Sequence, residues 1–308
     1  SMTRAECNDR AVSEVPMIEQ LALLHDAQLR ASVARHRQAL GGRRESAAHL
    51  DELFHSLIDL VRPEVFLEVG AADAEASLAV AARHPQCRVI ALEATDYIHA
   101  RASASTDYAA AGVDYRYCAA SDHDGMVTFR LDVDPVSGEL LPGQSLLARS
   151  DAGALREVEV PSARLDSVIP DRNVNVGAWI DVEGAIREVL AGASGLLPQV
   201  AVLKVEVEDA QIWEGQLISL GVIEHLLAAG LVPVARDAEY VGQYNVLFVS
   251  GRWARHAAVR QALEVHAYRL EHEWSREPSR VRQSESLRGV LRPVRRGVSQ
   301  IVGRARRG

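Results

Sequence analysis

Lysine is almost missing from this chain: Lys204 stands alone against 33 arginines, a bias that a GC-rich genome explains and that gives Lys204 no functional weight. Cysteine is scarce too. Cys7, Cys87 and Cys118 lie far apart with no C-x-x-C spacing, which argues against a zinc cage or a disulfide framework and leaves inert thiols as the reading. Long apolar runs are absent: stretches such as Val200–Leu203 and Leu226–Val234 fall well short of the roughly 18 to 20 residues that a membrane span requires. The opening Ser1-Met2-Thr3-Arg4 shows no basic-then-apolar leader, and a serine ahead of methionine reads as a remnant of expression, so a cytoplasmic location is expected. A G-x-G-x-x-G fingerprint is also missing, which weighs against a NAD-dependent enzyme.

What is present suits a soluble globular protein: 308 residues, 48% hydrophobic and 25% charged, with 34 basic and 42 acidic side chains for a net charge of −8. The patterning divides the chain into a helical N-terminal extension (1–60), an α/β domain (61–252) and a C-terminal helix with an arginine-rich tail (253–308). Helical intervals occur at Ile18, Leu21, Leu24 and again at Leu50, Leu53, Leu57, Leu60. From Val65 onward, short β-rich runs alternate with helix-like segments, which predicts a mostly parallel sheet. The expected strands are Val65–Val69, Arg88–Leu92, Asp114–Tyr117, Ala178–Val182, Val200–Glu206, Val232–Ala235 and Asn245–Val249. Met126–Leu131 and Glu157–Val160 read as an antiparallel pair around the loop Asp134–Gly153, an insertion placed over a sheet edge or the site. Helical periodicity returns over Ala254–Trp274.

Several strand ends carry chemistry. Val65-Phe-Leu-Glu68-Val-Gly70-Ala-Ala72-Asp73 is an apolar strand ending in an acid and a glycine, followed by an alanine-rich helix over Ala74–Ala82. Ligands approach backbone amides at such a crevice only where side chains are small, as at Gly70 and Ala72. The next strand ends in Leu92-Glu93-Ala94, where an acid can accept both hydroxyl protons of a ribose. Ala119-Ala120-Ser121-Asp122 closes the third strand as a turn able to meet an adenine ring. Trp179-Ile-Asp181-Val-Glu183-Gly184-Ala185 sends two carboxylates out of a buried strand together, ahead of a helix over Ile186–Gly192.

With Arg164-Leu165-Asp166-Ser167, these segments resemble the FkbM-type family of S-adenosylmethionine-dependent methyltransferases, with signatures from about Val65 to Ser250. The resemblance implies a class I methyltransferase (Rossmann-like) α/β fold: a seven-stranded, mostly parallel sheet with its last strand antiparallel, here with a helical N-terminal cap and a C-terminal helical extension. It further implies methyl transfer to a hydroxyl of a sugar, glycan or natural product. By position, Glu68 and Gly70, with the small Ala72, would lie at the methionine end of the cofactor, Glu93 and Ala94 at the ribose, and Ser121 and Asp122 near the adenine. Asp181 would face the reacting methyl. The sequence departs from the family pattern at Ala74, where the turn ends in a second glycine, and at Trp179, where a lysine is common.

Methylating an alcohol needs a base close to the reacting oxygen. Asp181 is the first candidate and Glu183 the next, while His225 and His123 are lone histidines and weaker ones. Mg2+ held by Asp181 and Glu183, with Glu206 and Asp209, is an alternative use of the same acids. A rival of another class is a non-catalytic interaction protein that keeps a nucleotide-binding shell and works through its helical ends and basic tail. Acceptor specificity is expected in the loop Asp134–Gly153 and the cap Ile18–Ala48. The tail, residues 276–308, holds ten arginines and two glutamates, so its net +8 faces −16 on the rest of the chain. Its apolar positions from Leu287 to Val302 recur at helical intervals, which suits peripheral contact with an anionic membrane, docking on the acidic body or a solvated tail. A small-molecule or glycan acceptor is the expected partner, with no specific nucleic acid; homo-oligomerisation is left open.

Overall fold

The computed structural model describes residues 40–134, 136–137, 144–149 and 154–272. The helix expected at Ile18–Leu24, the arginine-rich tail, and parts of the cap Ile18–Ala48 and of the loop Asp134–Gly153 lie outside the described residues.

Ten strands are described in chain order: β1 (Val65–Val69), β2 (Arg88–Glu93), β3 (Val113–Tyr117), β4 (Ala119–Ala120), β5 (Gly125–Asp132), β6 (Leu155–Ala163), β7 (Val176–Ile180), β8 (Val200–Glu208), β9 (Leu231–Arg236) and β10 (Gln243–Ser250). The helices described are α1 (Leu40–Val61), α2 (Glu75–Arg83), α3 (Asp96–Ser105), α4 (Leu165–Val168), α5 (Ile186–Gly192), α6 (Ser219–Ala228), α7 (Gly251–Ala254) and α8 (Ala257–His272). Seven strands form one sheet in the order β3-β2-β1-β7-β8-β10-β9. It is parallel except for β10, the last strand in the chain, which runs antiparallel to β8 and β9. This is the class I methyltransferase arrangement that the family resemblance implied.

Side chains alternate across a strand, so each run feeds both faces of the sheet. In β1 every residue is buried, as suits a central parallel strand. Leu67 and Val69 join Ile90, Ile180, Leu203 and Phe248 on the face covered by α4, α5 and α6. Phe66 joins Val89, Val202 and Leu247 on the opposite face, where Leu50, Phe54, Leu57 and Ile58 of α1 pack with Val80 of α2 and Val259 of α8. Each such fully buried Leu, Ile or Phe contributes about 1.5–3 kcal/mol through its burial. Helix α1 is therefore a layer of the sheet's own core. β9 lies at the sheet edge, where Pro233 can lack an N–H; the register with β10 shifts between Leu247 and Phe248, beside that proline.

Two local expectations need correction. The strand expected at Ala178–Val182 runs two residues earlier, as β7; its partner β1 ends at Val69, and Gly70 turns away with φ +75°, so Val182 has no β1 residue to pair with. Asp181 is thus the first residue past the strand, its N–H still donating to Val69 O at 2.9 Å. Ala119-Ala120 form β4, more than the turn expected from their small size. β4 pairs in parallel with β6, whose antiparallel pairing with β5 was expected, giving a separate three-stranded sheet ordered β4-β6-β5. Among the described residues no helix is long and apolar enough to cross a membrane.

Candidate active site

The C-terminal ends of β1, β2, β7 and β8 converge on one edge of the sheet. At the β1–α2 turn the backbone is left-handed three times, at Gly70 (φ +75°), Ala72 (φ +45°) and Ala74 (φ +52°). Gly70 is needed for space as well as for conformation, since a Cβ there would meet Asp181 O at 1.8 Å. For an alanine the left-handed region costs roughly 1–2 kcal/mol, so the turn is held by other residues. Glu93 Oε2 accepts the Ala72 N–H at 2.9 Å and Oε1 the Thr95 N–H at 2.7 Å. Glu68, also buried, accepts the Ser77 N–H at 2.7 Å in the first turn of α2, satisfying a donor that the helix itself leaves free. Burial pushes the Glu68 carboxyl up to about 7 against that hydrogen bond.

On the β7–β8 side the acids meet each other. Trp179 pairs in register with Lys204 and Ile180 with Val205, so the next step sets Asp181 beside Glu206. Glu206 hydrogen-bonds the Asp181 carboxylate, and Gln243 Nε2 donates to Glu206 at 3.1 Å. Both carboxyls are raised by burial; Glu206 stands well above the usual range because Asp181 and Glu183 add repulsion, while Lys204 moderates Asp181. Burial and then Asp181 push Glu183 up to about 8, and burial and then Asp181 push Glu208 up to about 7. Asp181, Glu183 and Glu206 are largely buried but keep some accessible surface. Like charges this close cannot all ionise, and the cluster stores protons near neutral pH.

The single lysine, without weight on composition, has a defined place. Lys204 is buried, bonds Asp51 of α1 at 2.5 Å and lies 3.8 Å over the Trp179 ring. Glu208 was missed in the sequence, although Lys204, Glu206 and Glu208 recur at the period of two that puts them on one face of β8. The strand expected at Val200–Glu206 runs on to Glu208, so Glu206 lies within β8.

The structure brings Glu68, Gly70, Ala72, Glu93, Asp181 and Glu183 to this edge, but not every candidate. His225 is exposed in the last turn of α6, which leads into the start of β9, at the opposite edge of the sheet from Asp181. Ala94 packs against the small sheet. Ser121 is buried beside Gly192 of α5, whereas Asp122 is exposed and held below the usual carboxylate range by His123, whose Nδ1 lies 2.7 Å away. The insertion does reach the site: Gln144 Nε2 donates to Tyr97 Oη of α3 at 3.2 Å, and Ser145 Oγ donates to Glu183 O. Trp213 fills the space against Gly184, where a Cβ would meet its ring at 2.7 Å. A groove of about 740 Å3 between α1 and α8, lined by His49, His55 and His266, includes none of the site acids.

Residues 68–270, well over half of the chain, match the family model for the methyltransferase FkbM domain. The chain belongs to that family. The turn suits the S-adenosylmethionine that the resemblance implied: side chains from Gly70 to Ala72 are small, and a buried acid closes the neighbouring strand. No curated protein matches the sequence significantly. Similar solved structures include EvdMO1, at 14% identity over 66% of this chain and 41% of that one, TM-score 0.36. Another is precorrin-6y C5,15-methyltransferase from Geobacter metallireducens GS-15, at 14% identity over 65% of this chain and 88% of that one, TM-score 0.36. The chain thus spans less than half the length of EvdMO1. The Mg2+ alternative gains no support: among the described residues no group of three or more His, Cys, Asp or Glu is set to hold a metal. Asp209 is turned to Ser219 Oγ and Tyr244 Oη, each at 2.8 Å.

Proposed function

We propose that this FkbM methyltransferase methylates a hydroxyl oxygen of a small-molecule or glycan acceptor, with Asp181 taking the hydroxyl proton. The observation that carries the reading is the place of Asp181: first past β7, its carbonyl against Gly70 of the cofactor turn and its carboxylate hydrogen-bonded by Glu206. S-adenosylmethionine, when bound, supplies an electrophilic methyl on a sulfonium. Glu93 would hold the ribose and the Gly70–Ala74 turn the methionine end. An alcohol is a poor nucleophile until its proton is removed, and a carboxylate with raised proton affinity is better matched to that removal near neutral pH. As the oxygen–methyl bond forms and the sulfur–methyl bond breaks, the hydroxyl proton passes to Asp181. Glu206 keeps Asp181 oriented, and Glu183 is the second carboxyl within the cluster.

The segment 144–149 runs from α3 to the Glu183 turn and supports acceptor recognition by the insertion. A screen of hydroxyl-bearing small molecules and glycans, read by product mass and by S-adenosylhomocysteine release, tests the reading, with product NMR to locate the methyl. Oxygen methylation that is lost in Asp181→Asn is expected. Methylation at nitrogen or carbon would overturn the hydroxyl assignment.

A further inference from the structure

The strained β1–α2 turn is gripped from outside by residues that no expectation singled out. Tyr115 Oη of β3 donates to Ala72 O at 2.5 Å, and Tyr108 Oη donates to Asp73 O at 2.8 Å. Glu93 takes the N–H of the same Ala72, so both ends of this left-handed residue are pinned by partners distant in sequence. Arg101 of α3 holds the Asp73 carboxylate at 2.9 Å. The Tyr115 ring is itself fixed, between His99 at 4.6 Å and 25° and Tyr108 at 4.3 Å and 39°. Burial raises both phenols above their ordinary range, so they remain protonated donors at physiological pH.

We propose that Tyr115 and Tyr108 are positioning residues for the cofactor site, their hydroxyls tying down the left-handed Ala72 and the adjoining Asp73 so that the turn keeps the shape that receives S-adenosylmethionine. An L-residue disfavours that shape and a glycine does not. With alanine at 72 the conformation must be imposed from outside, and the two hydroxyls with Glu93 impose it. The inference rests on the cofactor being bound at this turn.

The test is a double-mutant cycle read by calorimetric S-adenosylmethionine affinity, with thermal melting to check the fold. Tyr115→Phe keeps the ring and its stacking and removes only the tie; it should weaken binding about fivefold, the scale of one lost hydrogen bond. Adding Ala72→Gly should cancel the loss, so that the double variant binds within about twofold of Ala72→Gly alone. Should Tyr115→Phe not fold, Tyr108→Phe, which frees the Asp73 carbonyl, is read by cofactor affinity alone: a loss of similar size is expected, and an unchanged constant would overturn the inference. In turnover, KM for the cofactor should rise while kcat holds. Wild-type protein that fails to bind the cofactor would overturn the functional reading and this inference with it. Wild-type binding with an unchanged constant in Tyr115→Phe would overturn the inference alone, as would a loss that glycine at 72 does not repair.

Discussion

Two halves of one sheet edge use the same residue type in opposite ways. On the β1–β2 side Glu68 and Glu93 meet backbone amides: three N–H groups, those of Ser77, Ala72 and Thr95, spend their donors on these two acids. On the β7–β8 side Asp181, Glu183, Glu206 and Glu208 meet each other, and their carboxyls are raised by burial and by mutual repulsion. Acids that meet amides shape the chain. Acids that meet acids also raise one another, whereas Glu68, raised to about 7 as well, is raised chiefly by its burial. On the proposed function the first half would serve binding and the second proton transfer, although both are carboxyls at or near a strand end.

The largest effect is expected where the proton work is done. Asp181→Asn keeps the size and removes the charge, so turnover on the true acceptor should fall at least about tenfold. A rate within twofold of wild type would move the base to Glu183. Next comes Glu93→Ala. Because Glu93 also caps the Ala72 and Thr95 amides, its loss leaves buried donors unpaired as well as a ribose unheld, costing about 1–3 kcal/mol of cofactor binding. Melting should drop with it, and a mutant with unchanged affinity would remove Glu93 from the site.

The proton-holding half should also show in stability. Glu183 is raised from its ordinary value to about 8, so its native form favours the proton. Its contribution is fully present below the unfolded value of about 4.5 and is lost as pH rises from there to about 8. Chemical denaturation of wild type against Glu183→Gln should show wild type losing stability relative to the variant across that window. A flat difference would mean that Glu183 is ordinarily ionised. The smallest effect belongs to the turn: Ala74→Gly relieves a left-handed alanine at the expense of a more flexible unfolded chain, for a net gain of about 0.5 kcal/mol. A loss on denaturant titration would show that the Ala74 methyl, fully buried, matters more than the strain.

The sheet was legible because strand pattern is local: Val65–Val69 and the helix Ile186–Gly192 were bounded correctly from apolar runs and small-residue turns. The β7 boundary was misread because it is set by where its neighbour β1 turns away, which apolar content does not show. The site was half legible. Acids at strand ends announce themselves, but what each acid faces depends on lateral register, and nothing in the composition pairs Asp181 with Glu206 or Trp179 with Lys204. His225 looked eligible as a free-standing imidazole, yet the direction of α6 carries it to the far edge. Tyr108 and Tyr115 gave no signal at all, since their work is done on main-chain carbonyls 35 and 43 residues away.

The division of labour is tested most directly by one calorimetric comparison of S-adenosylmethionine binding to wild type, Glu93→Ala and Asp181→Asn under a single buffer condition. The account predicts binding by wild type, a clear loss in Glu93→Ala and affinity within about twofold of wild type in Asp181→Asn. Equal losses in the two variants, or a loss confined to Asp181→Asn, would contradict it.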